Sequence, residues 1–511
     1  MSSTEKMPKF PKTYWREIEL PAFNTLEQDL SVDVAIVGAG ITGITAAYLL
    51  SKEGLKVSLL EAGSVLNGTT GHTTAKLTAQ HDIIYDELIN HFGKEKARLY
   101  YESHMNAIRF VESSVAEKGI DCDFSKQDAF VYTTTDESVE KLKTEWEAYK
   151  SLEIDGALKD TIPFHIPAKG ALVMHNQAQY HPLKFLKALL EDAVKAGCSV
   201  YENTVASDIE DDDTEPKVVT KSGHRVTCKQ VIIASHFPFY DKPGLYFARM
   251  YASRSYAIGI KTDKDYPGGM YISADTPPRS IRYTPLDGEK EKILIIGGEN
   301  HKTGQGMNTL KHYEALQAFA EEVFGIKEYD YRWSAQDMVT LDKLPYIGHY
   351  TEGRENVFVA TGYKKWGMTT GILAGHLLTD YIMKRDNPYM ELYTPSRFQA
   401  DPDLKSVITT NADVAKHLIK GKLEYTDRSP DDLQVGEGSV VMYNGKRAGA
   451  YKDENGKLYV VDTTCTHLGC ECEWNHAEKS WDCPCHGSRY AYSGDVIEGP
   501  TKKALELLAE E

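Results

Sequence analysis

Long apolar segments are missing from this chain of 511 residues, although 41% of its residues are hydrophobic. No run of 18 consecutive apolar residues occurs, whereas a membrane-spanning helix needs about 20. The first 20 residues contain neither an apolar secretory core nor a pair of arginines, so no leader is expected. We therefore expect a cytoplasmic protein that does not insert into a membrane.

Positive charge is also in short supply. Lysine and arginine number 58 against 75 aspartates and glutamates, which gives a formal net charge of −17. Nucleic-acid binding depends on clustered cations that neutralise phosphates, and a strongly acidic chain is repelled by anionic surfaces. The composition therefore argues against nucleic acid as a partner.

Cysteine is rare, and its distribution is uneven. Five of the eight cysteines lie between Cys465 and Cys485. Two of the cysteines combine with two histidines in the spacing Cys465-x-His467, fifteen residues, Cys483-x2-His486. A 2Fe-2S cluster of the Rieske type takes two thiolates on one iron and two imidazoles on the other. A structural zinc site is the alternative, because cysteine and histidine at short spacings also suit tetrahedral zinc.

Residues outside these four ligands favour the iron–sulfur cluster over zinc. The segment resembles the Rieske proteins of the cytochrome bc complexes. The match includes residues for which zinc has no use, namely Gly469, Pro484, Gly487, Ser488, Tyr490 and the pair Gly499-Pro500. The resemblance implies that the Ser488 and Tyr490 hydroxyls stabilise the reduced cluster and raise its potential. It also implies a disulfide between Cys470 and Cys485, and it assigns no role to Cys472.

The one complete glycine motif of the dinucleotide-binding type lies near the N-terminus. Residues 31–40 read as a strand that stops at glycine, and the glycine motif GAGITG occupies residues 38–43. A helical stretch follows, and then a second strand that ends at Glu61. This order is typical of a βαβ unit that binds a dinucleotide. Gly38 permits the tight turn, and Gly40 lets a pyrophosphate approach the helix N-terminus. Gly43 lets the helix pack on the strand, and Glu61 can accept hydrogen bonds from ribose hydroxyls.

Later segments resemble, in chain order, the D-amino-acid oxidase, glycine oxidase and sarcosine dehydrogenase superfamily. The matching segments are a phosphate and flavin loop at 67–74, a helix at 179–190, a T-x-D-x-x-P-x-x-G element at 340–348 and a flavin-contact motif at 360–369. The resemblance implies FAD as the cofactor. The further residues that it assigns to FAD are Thr70, His72, Gly362, Gly367, Met368 and Thr369. A helix that begins at Gly367 to Thr369 would point its amides at the flavin pyrimidine edge.

Two interpretations of His72 are open. In the sarcosine and dimethylglycine dehydrogenases, a histidine at the matching position is bonded covalently to the flavin. The alternative is a polar loop histidine that lies near a phosphate. One residue in a loop does not decide between them.

Two missing patterns narrow the chemistry. No Asp-x2-His-x4-His sequence occurs, whereas a Rieske oxygenase needs a mononuclear iron held by two histidines and a carboxylate. The glycine pairs at 304–306 and 436–438 lack the third glycine of a second nucleotide fold. A reductase that draws hydride from NAD(P)H through FAD usually has that second fold. We therefore expect the hydride to come from an organic substrate, and we do not expect oxygenation.

These patterns together predict three parts. Residues 1–394 are expected to form an α/β FAD-binding domain of the Rossmann-like type with an interleaved α+β substrate domain. A partly helical connector is expected over 395–427, and a small all-β Rieske domain over 428–511. The acidic run at 210–213 is expected to cap an exposed turn.

The predicted function is a flavo-iron–sulfur dehydrogenase. We expect an amine or amino-acid-like substrate to reduce FAD, and the cluster to pass the electrons singly to an acceptor protein or a quinone. Asp337 stands where glycine oxidase-like enzymes bind the substrate carboxylate with an arginine. It either attracts a cationic amine or pairs structurally with a neighbouring arginine. Two other classes are open, an electron-transfer protein without a small substrate and a redox sensor that works through Cys470 and Cys485.

Overall fold

The computed structural model describes residues 7–210, 215–241, 244–286, 291–306, 308–397, 412–418, 421 and 426–510. The strands are β1 Leu30–Ser31, β2 Val34–Val37, β3 Val57–Leu60, β4 Lys76–Leu77, β5 Ser125–Thr133, β6 Gly156–Lys159, β7 Gly170–Gln179, β8 Ser199–Tyr201, β9 Ala206–Glu210, β10 Lys217–Thr220, β11 Arg225–Thr227, β12 Gln230–Ile233, β13 Met250–Lys261, β14 Met270–Ser273, β15 Arg279–Leu286, β16 Glu291–Lys302, β17 Glu328–Thr340, β18 Tyr346–His349, β19 Val357–Thr361, β20 Gly438–Tyr443, β21 Lys446–Lys452, β22 Leu458–Val461, β23 Glu473–Asn475, β24 Ser480–Asp482, β25 Arg489–Ala491, β26 Val496–Glu498 and β27 Leu507–Glu510. The helices are α1 Ile41–Lys52, α2 Tyr85–Lys118, α3 Asp136–Ser151, α4 Pro182–Lys195, α5 Leu310–Val323, α6 Gly367–Ile382 and α7 Met390–Tyr393. The acidic run at 211–213 and most of the predicted connector lie outside the described residues.

A six-stranded sheet in the order β18-β19-β12-β2-β3-β8 carries the predicted dinucleotide motif. Its strands run parallel except for the antiparallel pair β18 and β19. All residues of β2 and β3 are buried, as expected for a parallel sheet covered on both faces. Helix α1 follows β2 directly and packs against α4 and α6. The predicted βαβ unit is therefore present.

A nine-stranded mixed sheet forms the second layer of the N-terminal part. Its path is β17-β13-β16-β15-β14-β5-β7-β4, and β6 pairs with β7. The edge strand β17 pairs with β13 along its length, in a register that places Asp337 opposite Ser253 and Gln336 opposite Arg254. This edge contacts the C-terminal part of the chain, because Gln336 Nε2 donates to the carbonyl oxygen of Gly487.

One predicted helix begins later than the resemblance indicated. Gln179 is the last residue of β7, and α4 begins at Pro182. The His181 side chain accepts a hydrogen bond from Lys184 N, at 3.2 Å, and so caps the helix. Proline is well suited to the first helical position because it has no amide to leave unpaired.

The C-terminal part (residues 426–510) is all-β, as predicted. It contains two four-stranded antiparallel sheets, β20-β21-β22-β27 and β23-β24-β25-β26. The expected fold class, an α/β domain with a mixed-sheet domain and a small all-β domain, is confirmed. Within the described residues, none of the helices combines the length and apolar character required to cross a membrane.

Buried charges join the two parts of the chain. Arg254 of β13 is only 1% exposed, and its guanidinium lies 3.6 Å from Glu498 and 4.0 Å from Asp482. Arg489 donates to the same Asp482 at 3.0 Å. A buried charge that loses its partner is strongly destabilising, so these groups favour the packed arrangement over a detached C-terminal part.

Gly43 tests the close packing of α1 on the turn after β2. An added methyl group at Gly43 would lie 1.9 Å from the carbonyl oxygen of Gly38. Overpacking of this kind costs about 1–3 kcal/mol, so Gly43→Ala is expected to lower the unfolding temperature and weaken FAD retention. Gly170→Ala is the matched control, because its added methyl group has no neighbour closer than 3.7 Å among the described residues, which is an ordinary contact. Equal unfolding temperatures for the two variants would contradict the packing role of Gly43.

Candidate active site and metal centre

A cavity of about 720 Å³ lies between the six-stranded and nine-stranded sheets. It is lined by most of the residues that the sequence assigned to a dinucleotide: Gly38, Gly40, Glu61, Thr70, His72, Gly362, Gly367 and Met368. Gly43 and Thr369 do not line it. Sequence positions more than 300 residues apart in the chain therefore meet around one space.

The end of the cavity at α1 fits a pyrophosphate. The Thr70 hydroxyl accepts a hydrogen bond from Ile41 N at 3.1 Å, which ties the predicted phosphate loop to the helix N-terminus. Residues 38–42 line the cavity, so the amides and the positive end of the helix dipole open onto it. Glu61 accepts from Ala39 N at 2.8 Å and Gly63 N at 3.0 Å, and burial raises the pKa of this carboxyl.

Thr369 has a different position from the one the sequence suggested. Its hydroxyl donates to the carbonyl of Thr78 at 3.1 Å and lies 3.2 Å from His81 Nε2. The N-terminus of α6 still faces the cavity, because Gly367 and Met368 line it. Thr369 thus fixes the entry of α6, one residue behind the cavity wall.

His72 lies in a short helical turn, 69–72, at the cavity wall. Its Nδ1 is 3.0 Å from the carbonyl oxygen of Gly68. This contact orients the ring within the loop. Both interpretations of His72, covalent attachment and a polar loop residue, fit this position.

Three charged residues outside the predicted FAD set also line the cavity, and of these Asp337 was predicted at the substrate position whereas Lys76 was missed. Lys76 stands in a buried strand, and its ammonium donates to Tyr271 O at 2.5 Å and Ser280 Oγ at 2.6 Å. Burial lowers the pKa of Lys76 to about 7. Asp337 and Lys365 are the other two of these three charged residues of the cavity wall. Burial raises the pKa of the Asp337 carboxyl and lowers that of the Lys365 ammonium, and each opposes the shift of the other.

The four predicted cluster ligands converge in the C-terminal part. Cys465 and Cys483 place their Sγ atoms within 4.8 Å of each other. The rings of His467 and His486 lie 5.0 Å apart, centre to centre. The Nδ1 atom of His467 is buried and has no hydrogen-bond partner among the residues that the structure describes, and such an atom is costly unless it binds something. The donor set of two thiols and two imidazoles therefore fits a Rieske cluster.

Hydroxyl groups lie beside this donor set, and that of Tyr490 is next to a predicted ligand sulfur. The Tyr490 hydroxyl lies 3.2 Å from Cys465 Sγ and accepts a hydrogen bond from Thr466 N at 3.1 Å. Ser488 Oγ accepts from Thr501 N at 3.2 Å, which leaves its own proton free to be donated. The predicted disulfide between Cys470 and Cys485 is confirmed, with an S–S distance of 1.99 Å.

Cys472 proves to be part of the same group. Its Sγ lies within 4.8 Å of those of both Cys465 and Cys483, and the residue is fully buried. No role was assigned to this cysteine from the sequence. The one signal available was its place among the five clustered cysteines.

The N-terminal part covers the cluster ligands. The Phe247 ring packs edge-on against the His467 and His486 rings, with 5.4 Å between ring centres in each case. In return, residues 495–502 of the C-terminal part line the cavity that holds the predicted FAD residues. The cavity and the donor set are therefore neighbours that share a boundary. No sequence motif could have identified Phe247, since it lies far along the chain from both the glycine motif and the cysteine–histidine segments.

Comparisons with known proteins agree with this arrangement. The family model described as FAD dependent oxidoreductase matches residues 33–381, and that of the Rieske 2Fe-2S domain matches residues 423–509. The "Putative Rieske 2Fe-2S iron-sulfur protein YhfW" of Bacillus subtilis (strain 168) is 54% identical over 98% of this chain and 97% of its own length. The gamma-glutamylputrescine oxidoreductase of Escherichia coli (strain K12) is 26% identical over 70% of this chain and 85% of its own.

Among solved structures, glycine oxidase from Geobacillus kaustophilus superposes with a TM-score of 0.62. It covers 72% of this chain and 99% of its own, at 20% identity, which supports the fold alone. The family model matches more than half of the chain. This protein belongs to the FAD-dependent oxidoreductase family of the D-amino-acid oxidase type, and it carries FAD together with a Rieske 2Fe-2S domain.

Proposed function

We propose that this protein is a dehydrogenase that oxidises an amine or amino-acid-like substrate at FAD and passes the electrons singly through the Rieske cluster. One observation carries the proposal. The cavity that holds the predicted FAD residues is also walled by residues 495–502 of the C-terminal part. The predicted ligands Cys465, His467, Cys483 and His486 belong to that same part.

The two cofactors have complementary chemistry. Bound FAD accepts a hydride and can release its electrons one at a time, whereas a 2Fe-2S cluster carries a single electron. An oxidase that reduces O2 directly has no use for a one-electron acceptor held beside its flavin. The fusion therefore supports a dehydrogenase whose final acceptor is a protein or a quinone.

Asp337 supports an amine over a simple carboxylic acid. It lines the cavity at the position where the resemblance places a carboxylate-binding arginine. An ionised Asp337 attracts a cationic group and repels a carboxylate. A relative at 26% identity is named gamma-glutamylputrescine oxidoreductase, and this name points to a compound that contains an amine.

The substrate class can be tested anaerobically. The purified holoprotein is mixed with secondary amines, amino acids and 2-hydroxy acids while the flavin absorbance and the cluster EPR signal are followed. We expect amines to bleach the flavin and the reduced-cluster signal to follow, with 2-hydroxy acids as the inactive comparison. If dithionite reduces both centres and none of these compounds does, the dehydrogenase proposal fails, and electron transfer between carriers replaces it.

The charge of Asp337 predicts a pH dependence. Burial raises the pKa of its carboxyl, against the opposing effects of Lys365 and Arg254. The carboxyl is then neutral at low pH, so kcat/KM for a cationic amine should rise with pH at values above the ordinary carboxyl range. Asp337→Asn should lose that limb and lower kcat/KM about 10-fold or more. Asp275→Asn, which does not line the cavity, is the control. An unchanged profile in Asp337→Asn would contradict the role.

Tyr490 predicts the potential of the cluster. Its hydroxyl lies 3.2 Å from Cys465 Sγ, and donors to ligand sulfur stabilise the reduced state. A hydrogen bond worth about 1 kcal/mol corresponds to about 40 mV for one electron, so Tyr490→Phe should lower the midpoint potential by roughly that amount in an EPR-monitored titration. Tyr492→Phe is the control, because the Tyr492 ring packs on Tyr451 and Tyr459, and it should leave the midpoint potential unchanged. Equal potentials in wild type and Tyr490→Phe would rule out the contact.

A further inference from the structure

Gln336 lies between the flavin cavity and the cluster ligands. It is fully buried on the edge strand β17, and it belongs to the cavity wall together with its neighbours Ala335 and Asp337. Side chains alternate along a strand, so the Gln336 side chain points away from the face of Ala335 and Asp337. Gln336 can therefore contact the cavity side through its backbone and the opposite face of the sheet through its side chain.

On the cavity side, the contact is made by the backbone. The Gln336 carbonyl accepts a hydrogen bond from Thr69 Oγ1 at 3.2 Å. Thr69 belongs to the loop predicted to hold the FAD phosphates and flavin edge. The position of β17 is therefore tied directly to that loop.

On the other side, the contact is made by the amide group. Gln336 Nε2 donates to the carbonyl oxygen of Gly487 at 2.9 Å, and Gly487 follows the predicted ligand His486. Thr303 Oγ1 donates to Gln336 Oε1 at 2.7 Å. That second bond fixes the amide orientation, because only the nitrogen is then left to face the Gly487 carbonyl.

No water layer fits between the second cluster loop (residues 483–488) and the sheet at this point. A methyl group at Gly487 would lie 2.2 Å from Ala252 Cβ and 3.3 Å from the Gln336 amide. The loop backbone therefore lies in direct contact with β13 and β17. A single strand separates the flavin cavity from a residue bonded to a cluster ligand.

We propose that Gln336 is a positioning residue that holds the second cluster loop against the flavin cavity and so provides the short route for electron transfer between the two cofactors. The inference rests on the proposed function in taking the flavin as electron donor, but it does not depend on the substrate. The first electron would pass from the two-electron-reduced flavin to one ferric ion of the oxidised cluster, which becomes ferrous. The second would leave the one-electron-reduced flavin only after an external one-electron acceptor had reoxidised the cluster, and the protons of the reduced flavin would go to solvent. No bond of Gln336 is made or broken.

The physical basis is the dependence of electron transfer on distance and on bonded contact. Transfer rates fall steeply as the gap widens, and they fall faster through a loose gap than through packed, hydrogen-bonded atoms. Loss of the Gln336 amide leaves the buried Gly487 carbonyl and the Thr303 hydroxyl without these partners. An unpaired buried polar group is costly, so the loop is expected to shift away from the strand.

The experiment uses light in place of a substrate. The flavin of the holoprotein is reduced photochemically with EDTA as the sacrificial donor, and the appearance of the reduced cluster is timed by absorbance and EPR. The variants are Gln336→Leu, Gln336→Glu, which keeps the shape but in its ionised form cannot donate to Gly487, and Thr303→Val, which removes only the orienting bond. Gln80→Leu is the matched control, because Gln80 is a buried glutamine bonded to Tyr149 and Leu172, away from the cavity wall.

The expected result is a tenfold or greater slowing of cluster reduction in Gln336→Leu and Gln336→Glu, a smaller slowing in Thr303→Val and none in Gln80→Leu. Midpoint potentials of both cofactors and the unfolding temperature are measured on the same samples. Slowing with unchanged potentials supports positioning. The inference is overturned if the Gln336 variants transfer at the wild-type rate, if their slowing is accounted for by a shifted potential, or if the wild-type cluster stays oxidised beside a reduced flavin.

Failure of the proposed function has a different outcome. If no amine reduces the flavin, the light-driven transfer still occurs in the wild type and still distinguishes the Gln336 variants. If Gln336→Leu does not fold, Gln336→Glu and Thr303→Val carry the test. The substrate and the electron route are therefore examined separately.

Discussion

The contact of the second cluster loop with the nine-stranded sheet is the constraint on which the rest of the arrangement depends. Gly487 has no side chain, and only for that reason can its backbone lie against Ala252 and the Gln336 amide. The buried charges of Arg254 and Asp482 oppose separation, because each would lose its partner in a detached domain. The geometry between the two cofactor sites is thus set by packing, which leaves little freedom for the small domain to move.

The parts of the structure that depend on short, contiguous motifs were predictable from the sequence. The predicted ligands Cys465, His467, Cys483 and His486 lie in two short segments whose spacing suits a Rieske cluster or zinc, and the neighbouring residues that match the Rieske proteins favour the cluster. The glycine motif at Gly38 to Gly43 predicts its own strand, turn and helix for the same reason. The disulfide between Cys470 and Cys485 followed from family resemblance, since spacing alone does not pair cysteines.

The residues between the cofactor sites were not predictable in this way. Gln336 meets Gly487 only because β17 pairs with β13 in one register, and a register between distant strands leaves no local signal. Phe247 lies in the short 3-10 helix Tyr246–Ala248, which carries no motif, and it contacts both predicted cluster histidines. Thr369 shows the converse, because a correct motif placed its helix but not the direction of its side chain. Long-range contacts decide what each side chain touches.

The shared wall of the cavity also has a consequence for biogenesis. Residues 495–502 close part of the FAD cavity, and the ribosome makes them after every other element that lines it except Ala504. Chains grow at about 5–20 residues per second, and N-terminal domains generally fold first. The nascent flavin fold therefore exists for several seconds with that side uncovered. During that interval the cavity is open to FAD from the side that the iron–sulfur domain later covers.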